Sequence, residues 1–501
     1  MGCLVVIAVL CLVTTSNCKL RGHLEILGSH ADPSEVIPEI SVVPQPRDFY
    51  NNYVKPRQPV VFRGAAFHSK AAELWTPQYL ESTYGDMVVR LEARFEGDST
   101  MPATEIGVGR DTMKHFIQNY NTIDGYVISQ IPEPMEKDVA IPPCLRCGHF
   151  AKGVQEVHLF ITAAGGKTLL HRDPFANIHC VFNGTKDWIT VDNKYQDYVY
   201  QHHSSNSEFG GFSEVNVDAV DLKQHPDVAK IKYGKVTLNG GDCIYMPGGY
   251  WHQVRVNGEY NTAVSIWFSR SLKAIPLDWS DCNKQFDFTP MSEVDVLWRF
   301  SGKNDTIPQG SMDIHVMKAV LLTFVDDNDV IDIDEFCKTM IGRERKGTNY
   351  NHDRARTEFR LAMLNGTDKV RGSRVKSLSN EEMKRLIRIL DPEDVSNTET
   401  YEYSYLDVEK VKDVWSTLLD QKASGFEPKS FVSLYTSHLG GTNKVALEIL
   451  SKLNPSGLSL ITPQMVESNA KDALLKFSTS RHHDPQNERL WFERLRIKDE
   501  L

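Results

Sequence analysis

Two rhythms of hydrophobic and polar positions divide the chain. From about Val43 to Ser271, apolar residues come in short runs or alternate, as in "QPVVFRGAAF", "MVVRLEA", "EVHLFITAAGG", "ANIHCVFNGTKDWITV" and "YNTAVSIWFS". Short β segments broken by Gly, Pro and Asn predict a barrel or sandwich. One helix is expected near "AELWTPQYLESTYG". Asn183-Gly184 predicts a tight type I′ hairpin, because that turn needs positive φ at both central residues. After about Leu277 the apolar spacing turns helical, in "DIHVMKAVLLTF", "EEMKRLIRIL", "DVEKVKDVWSTLLDQ" and "TNKVALEILSKL". The expected fold class is α+β and multidomain, with a β domain over residues 43–276 and an all-α domain over 277–490.

The two ends change the picture. Leu4 to Val13 is an apolar run too short to cross a bilayer, which needs about 20 residues, and Ser16, Asn17 and Cys18 follow it. Residues 1–18 therefore read as a signal peptide lacking a basic start, 19–42 as a linker, and 491–501 as a tail. That tail ends in Lys498-Asp499-Glu500-Leu501, the retrieval address of the endoplasmic reticulum lumen. The expectation is a lumenal resident without stable membrane insertion, engaging the KDEL receptor and a protein substrate of the secretory pathway.

Composition adds exclusions. The 501 residues are 41% hydrophobic and 24% charged, as in ordinary globular protein. A net charge of −10 argues against nucleic acid as a partner. Beyond the signal peptide six cysteines remain, and an oxidising lumen allows some to pair in a connectivity the sequence leaves open. Cys144-Leu-Arg-Cys147 has half-site spacing without a second half, so it reads as a structural disulfide or two plain thiols.

Chemistry concentrates in "TLLHRDPFANIHCVFNGTKDW". His171 and Asp173 are two apart, so on a strand both side chains leave one face. "GDCIYMPGGYWHQV" adds His252 at the start of another strand. Two imidazoles and one carboxylate are the facial triad that binds Fe(II) and leaves positions open for O₂ and a co-substrate. A dicarboxylate co-substrate needs a cation, and Lys186 lies fifteen residues after His171, brought back by the expected hairpin. Thr168 offers a hydroxyl to the same carboxylate. His179, between Ile178 and Cys180, reads as a core histidine without a role.

The stretch resembles the Jumonji-C, cupin-like family of Fe(II)/2-oxoglutarate oxygenases, in its protein-hydroxylase branch. The resemblance rests on Thr168 three before the histidine, Asn177 six after it and Lys186 fifteen after it. Gly241, Asp242, Tyr245, Pro247, Trp251 and His252 match a second motif, and "RQPVVFRG" and "VISQIPEPMEKDVAIPP" a third and fourth. It covers about Val43 to Arg270. It implies a double-stranded β-helix (cupin/jelly-roll) barrel, with iron on His171, Asp173 and His252. It also implies 2-oxoglutarate on Lys186 and Thr168, helped by Asn177. One departure is Ser265, in "VSIWF", where the family carries an amide; serine still donates a hydrogen bond. The collagen-modifying hydroxylases place their cationic anchor where this chain has Thr262, and Arg255 is an odd number of residues from His252, so Lys186 is the expected anchor.

In the helical half, "FVDDNDVIDIDEF" resembles an EF-hand loop with Asp326, Asn328, Asp332 and Glu335 as ligands. Phe324 at the first position and Asp329 in place of the turn glycine make it a vestigial loop rather than a calcium site. Asn304 and Asn365 head glycosylation sequons in polar sequence, whereas the sequon at Asn183 falls in the expected hairpin. The expected function is a lumenal Fe(II)/2-oxoglutarate dioxygenase hydroxylating a protein side chain. The alternative is a non-catalytic cupin scaffold assisting folding or assembly.

Overall fold

The computed structural model describes residues 20–92, 109–121, 126–201, 211–269, 277–303, 313–340, 352–367, 369–390, 408–439 and 443–475. The signal peptide expected over 1–18, the tail over 491–501 and the sequon at Asn304 lie outside the described residues.

The alternating segments form a 12-stranded mixed sheet. Its strands are β1 (Glu39–Ile40), β2 (Val60–Phe62), β3 (Val88–Glu92), β4 (Gly109–Thr112) and β5 (Tyr126–Gln130). After β6 (Ala140–Ile141), which stands outside that sheet, come β7 (Val154–Ala163), β8 (His171–Arg172), β9 (Ala176–Val191) and β10 (Gly211–Phe212). β11 (Gly234–Asn239), β12 (Cys243–Met246) and β13 (Trp251–Phe268) complete it. The main path runs β1-β2-β12-β9-β13-β7-β5-β3-β4, while β11 pairs with β9, β8 with β13 and β10 with β8.

Two long strands make this a two-layer wrap compatible with a jelly roll. The first half of β9 pairs with β12 and the second half of β13; its second half pairs with β11 and the first half of β13. The change of partners falls at Gly184 and residues 258–261, where the β9–β13 register shifts. The tight hairpin expected at Asn183-Gly184 is therefore not formed. Only Gly184 takes positive φ, at 82°, while Asn183 stays paired with Thr262 and Thr185 with Asn257. A type I′ turn needs two such residues; one produces a bulge that bends the strand and lets it continue.

The outer face of β9, β12 and β13 buries Ile178, Cys180, Phe182, Tyr245, Val264, Ile266 and Phe268 under the early helices. The helix expected near residue 73 is two, Ala71–Leu74 and Pro77–Tyr84. Pro77 drives Thr76 out of the helical region, and the Thr76 side chain then caps the second helix at the Tyr79 amide. Nor are residues 20–42 a free linker: Leu27 is buried, its amide donates to the Val217 carbonyl, and β1 pairs with β2.

The β domain also extends past residue 276. β14 (Thr289–Pro290) pairs with β6, Met291 and Val296 join the barrel core, and Cys282 is bonded to Cys147. Cys144 is a buried free thiol, so the Cys-x-x-Cys pair is not itself a disulfide. A second disulfide, Cys180–Cys243, crosses β9 and β12.

The helical stretches expected from periodicity appear as Ile314–Thr323, Asn380–Leu390, Val408–Gln421 and Asn443–Leu453. They serve two hydrophobic cores rather than one, around Met317, Phe336 and Phe359 and around Trp415, Phe431 and Tyr435. In the first, β15 (Val330–Ile331) pairs antiparallel with β16 (Val370–Arg371); in the second, Phe426 and Ile461 form a bridge.

A Cβ at Gly184 would lie 2.2 Å from the Asn261 amide nitrogen, and positive φ costs a β-carbon-bearing residue roughly 1–2 kcal/mol. Gly184→Ala is expected to lower the melting temperature by several degrees, measured by thermal unfolding, while Gly457→Ala, with open space around its Cβ and the same positive φ, should cost less.

Candidate metal centre

Pairing between β8 and β13 sets His171 directly opposite His252. The rings lie 4.2 Å apart between centroids. His171 Nδ1 bonds the Leu169 carbonyl at 2.9 Å and His252 Nδ1 the Tyr250 carbonyl at 3.1 Å. A carbonyl only accepts, so both Nδ1 atoms carry the proton and both Nε2 lone pairs are free for a ligand. Those two atoms stand 3.8 and 3.7 Å from the two Asp173 carboxylate oxygens. Asp173 lies just beyond the end of β8, held by the Gly249 amide on its carbonyl at 2.8 Å. The ligand atoms of all three residues fall within 4.8 Å of one another, the sole such His/Cys/Asp/Glu cluster among the described residues.

The surroundings suit a divalent ion. Burial, reinforced by the adjacent His171, pulls the His252 imidazole down to about 4, so it is a neutral ligand at pH 7. Trp188 stacks on His252 and Phe212 on His171, fixing both ring planes. The Asn177 amide donates to Asp173 Oδ2 at 3.2 Å, while its own carbonyl oxygen is buried without a partner. Such outer partners orient the ligands and tune the metal.

The bulge at Gly184 decides what else faces this centre. Asn177 and His179 share the inner face of β9 by alternation, but Lys186 is seven residues beyond His179 and would face outward on a regular strand. Phe182 is the extra residue on β9, between Val181 opposite Ala263 and Asn183 opposite Thr262, and beyond this irregularity Lys186 turns inward and donates to His179 Nε2 at 3.1 Å. Lys186 is only 4% exposed, lies over the Phe160 ring, and has no carboxylate partner among the described residues. Burial alone draws its ammonium down to about 7. His179 Nδ1 in turn meets Ser265 Oγ at 2.8 Å. Thr168 is docked on β13: its hydroxyl oxygen accepts from the Val254 amide at 2.9 Å and keeps a proton to donate.

β-Pairing extends the inner face sideways. Trp267 sits between Asn177 and Glu156, and Ser265 between His179 and His158. Glu156 and His158 are fully buried, 3.3 Å apart, and Gln130 donates to Glu156. Arg255 pairs with Asp218 at 2.9 Å, away from the metal ligands. His179, two residues from Asn177, is thus a buried core residue in contact with both Lys186 and Ser265.

In the helical half the proposed calcium ligands are already engaged by their own loop. Asp326 accepts from the Asn328 and Val330 amides, Asp332 accepts from the Glu335 amide, and Asp329 itself takes the left-handed conformation at φ 60°.

Residues 46–274 match the family model described as "Cupin-like domain". Over these residues the sheet domain is similar to that cupin-like family. "Lysine-specific demethylase 8" of Xenopus tropicalis is 25% identical over 245 residues, 48% of this chain and 54% of that protein. "Jumonji C domain-containing protein 5" of Drosophila melanogaster is 26% identical over 244 residues, 46% of this chain and 59% of that protein. "Bifunctional peptidase and (3S)-lysyl hydroxylase JMJD7" of Homo sapiens is 22% identical over 267 residues, 46% of this chain and 84% of that protein. The chain spans little more than half the length of the frog and fly proteins.

Asp173→Ala is expected to abolish tight Mn(II) binding, followed by the paramagnetic resonance signal of free Mn(II). Asn177→Ala, which leaves all three ligands in place, should weaken it roughly tenfold or more.

Proposed function

We propose that the chain is an Fe(II)- and 2-oxoglutarate-dependent dioxygenase that hydroxylates a protein side chain. One observation carries the reading: a His-Asp-His cluster and a buried lysine without a carboxylate partner among the described residues share the inner face of one cupin-like barrel. Unpaired burial of a lysine is costly unless a ligand compensates it, and a 2-oxo acid with a distal carboxylate supplies the missing charge. Among the matched relatives, one is named a lysyl hydroxylase.

Held by His171, Asp173 and His252, iron(II) would supply the O₂ chemistry that no side chain offers. Lys186 pairs with the distal carboxylate of the co-substrate, and Thr168 donates its hydroxyl proton to the same group. The Ser265 hydroxyl, in contact with His179, completes that polar end. Trp188, Phe160 and Phe212 keep bulk water from the centre. Overall, 2-oxoglutarate, O₂ and a substrate C–H become succinate, CO₂ and a C–OH group.

We place this activity in the endoplasmic reticulum lumen. The signal-like start, the terminal Lys-Asp-Glu-Leu and the two disulfides Cys147–Cys282 and Cys180–Cys243 all suit an oxidising compartment. There the KDEL receptor and a secretory-pathway protein substrate are the partners. The paired helix–loop–helix units, with loops joined by β15–β16 and by Phe426–Ile461, we read as EF-hand-like platforms that do not depend on calcium.

Purified protein given Fe(II), ascorbate and 2-oxoglutarate is expected to release succinate, and His171→Ala to release none. Equal release from both proteins, or no binding of Fe(II) and 2-oxoglutarate by the wild type, would overturn the reading. Co-substrate affinity should also depend on pH. Above about 7 the free lysine is neutral and must take up a proton to meet the carboxylate. Affinity for 2-oxoglutarate, measured by calorimetry on Mn(II)-loaded protein, should thus fall from pH 7 to 9 by up to about tenfold per unit. Below pH 7 it should level off, because the lysine becomes fully charged there while His252 stays neutral.

A further inference from the structure

The Lys186–His179–Ser265 chain asks for more than an anchoring lysine. His179 is 4% exposed, and a buried imidazole beside a buried ammonium is an arrangement that an apolar side chain would avoid. Its tautomer is fixed by its neighbours. A charged Lys186 can only donate, so with the ammonium in place Nε2 accepts, and Nδ1 carries the proton that goes to Ser265 Oγ. The ring itself is clamped, with Phe160 and Trp188 each 5.2 Å away between centroids. A lysine head on a flexible four-carbon stem is thus given one fixed acceptor, on a strand already set in place by the pairing of His179 with Ser265 and Ile244.

Resting on the co-substrate reading above, we propose that His179 is a positioning residue for Lys186. By accepting one N–H of the ammonium, it aims the remaining two at the distal carboxylate of a 2-oxo diacid. It thereby sets the preference for a diacid over a 2-oxo monoacid of equal length. Ser265, through its bond to Nδ1, holds His179 in the accepting tautomer and acts one step further back.

The test uses the full chain loaded with Mn(II) and measures dissociation constants for 2-oxoglutarate and 2-oxopentanoate, which lacks the distal carboxylate. His179→Phe should weaken 2-oxoglutarate on the order of tenfold, the scale of one hydrogen bond to a charged group, and leave 2-oxopentanoate unchanged. His179→Gln, whose side-chain oxygen can accept from the lysine, should restore most of the loss. Ser265→Ala should fall between, and it carries the test if His179→Phe does not fold. Unchanged 2-oxoglutarate affinity in a folded His179→Phe protein would overturn the proposal. So would an equal loss for both ligands, or a Gln variant no better than Phe. A wild type that shows no preference between the two acids would instead remove the underlying assignment of Lys186 as the anchor.

Discussion

Everything at the centre depends on a local irregularity in β pairing. A regular strand alternates its side chains, and His179 and Lys186 could not then share a face. The adjoining irregularities at Phe182 and at Gly184 opposite residues 258–261 reverse the alternation halfway along both β9 and β13. One chain segment can then supply Asn177 and His179 from one layer and Lys186 and Trp188 from the other. The same event puts His252 and Ser265, thirteen residues apart on β13, on a common inner face. The glycine is required because its neighbours leave no room for a side chain and its backbone is left-handed there.

Electrostatics then follows from enclosure. Burial makes His252 a better metal ligand, since it holds the imidazole neutral, and makes the lysine worse as a solitary charge. The two effects have one cause and point to one remedy, an occupied centre. On the neighbouring strands Glu156 accepts from Gln130 and lies 3.3 Å from His158. The outer face follows the opposite rule: it is packed with aromatic and aliphatic side chains under helices, so the strands cannot rotate to relieve the interior.

Much of this was legible before any coordinates. The periodicities separated strand from helix, and the four quoted helical segments all form. The spacing of His171, Asp173 and His252 pointed to three residues that do gather, and the offset of Lys186 to a lysine that does face the same interior. The mechanism that carries Lys186 inward was misread, because Asn-Gly signals positive φ without saying whether one residue or two will adopt it. His179 is buried as a core histidine, and its contacts with Lys186 and Ser265 depend on cross-strand neighbours that the sequence does not give. Domain edges were missed for a different reason. Residues 20–42 and 277–303 are irregular backbone that packs on the barrel through single contacts such as Leu27, Cys282 and Val296, and no periodicity marks them. Two helical cores rather than one were equally invisible, since amphipathic spacing tells which face is buried but not against which partner.

The disulfide between Cys147 and Cys282 has a topological result. Its 135-residue separation encloses Thr168, His171, Asp173, Asn177, His179, Lys186, His252 and Ser265. Every residue assigned to the centre therefore belongs to one covalent ring, within which Cys180–Cys243 draws a second, smaller one. A single peptide cleavage anywhere in the larger ring opens it without releasing a fragment, so both pieces remain tethered to the same molecule. In a proteolytic environment the barrel is thus protected against loss of its parts even after it has been cut.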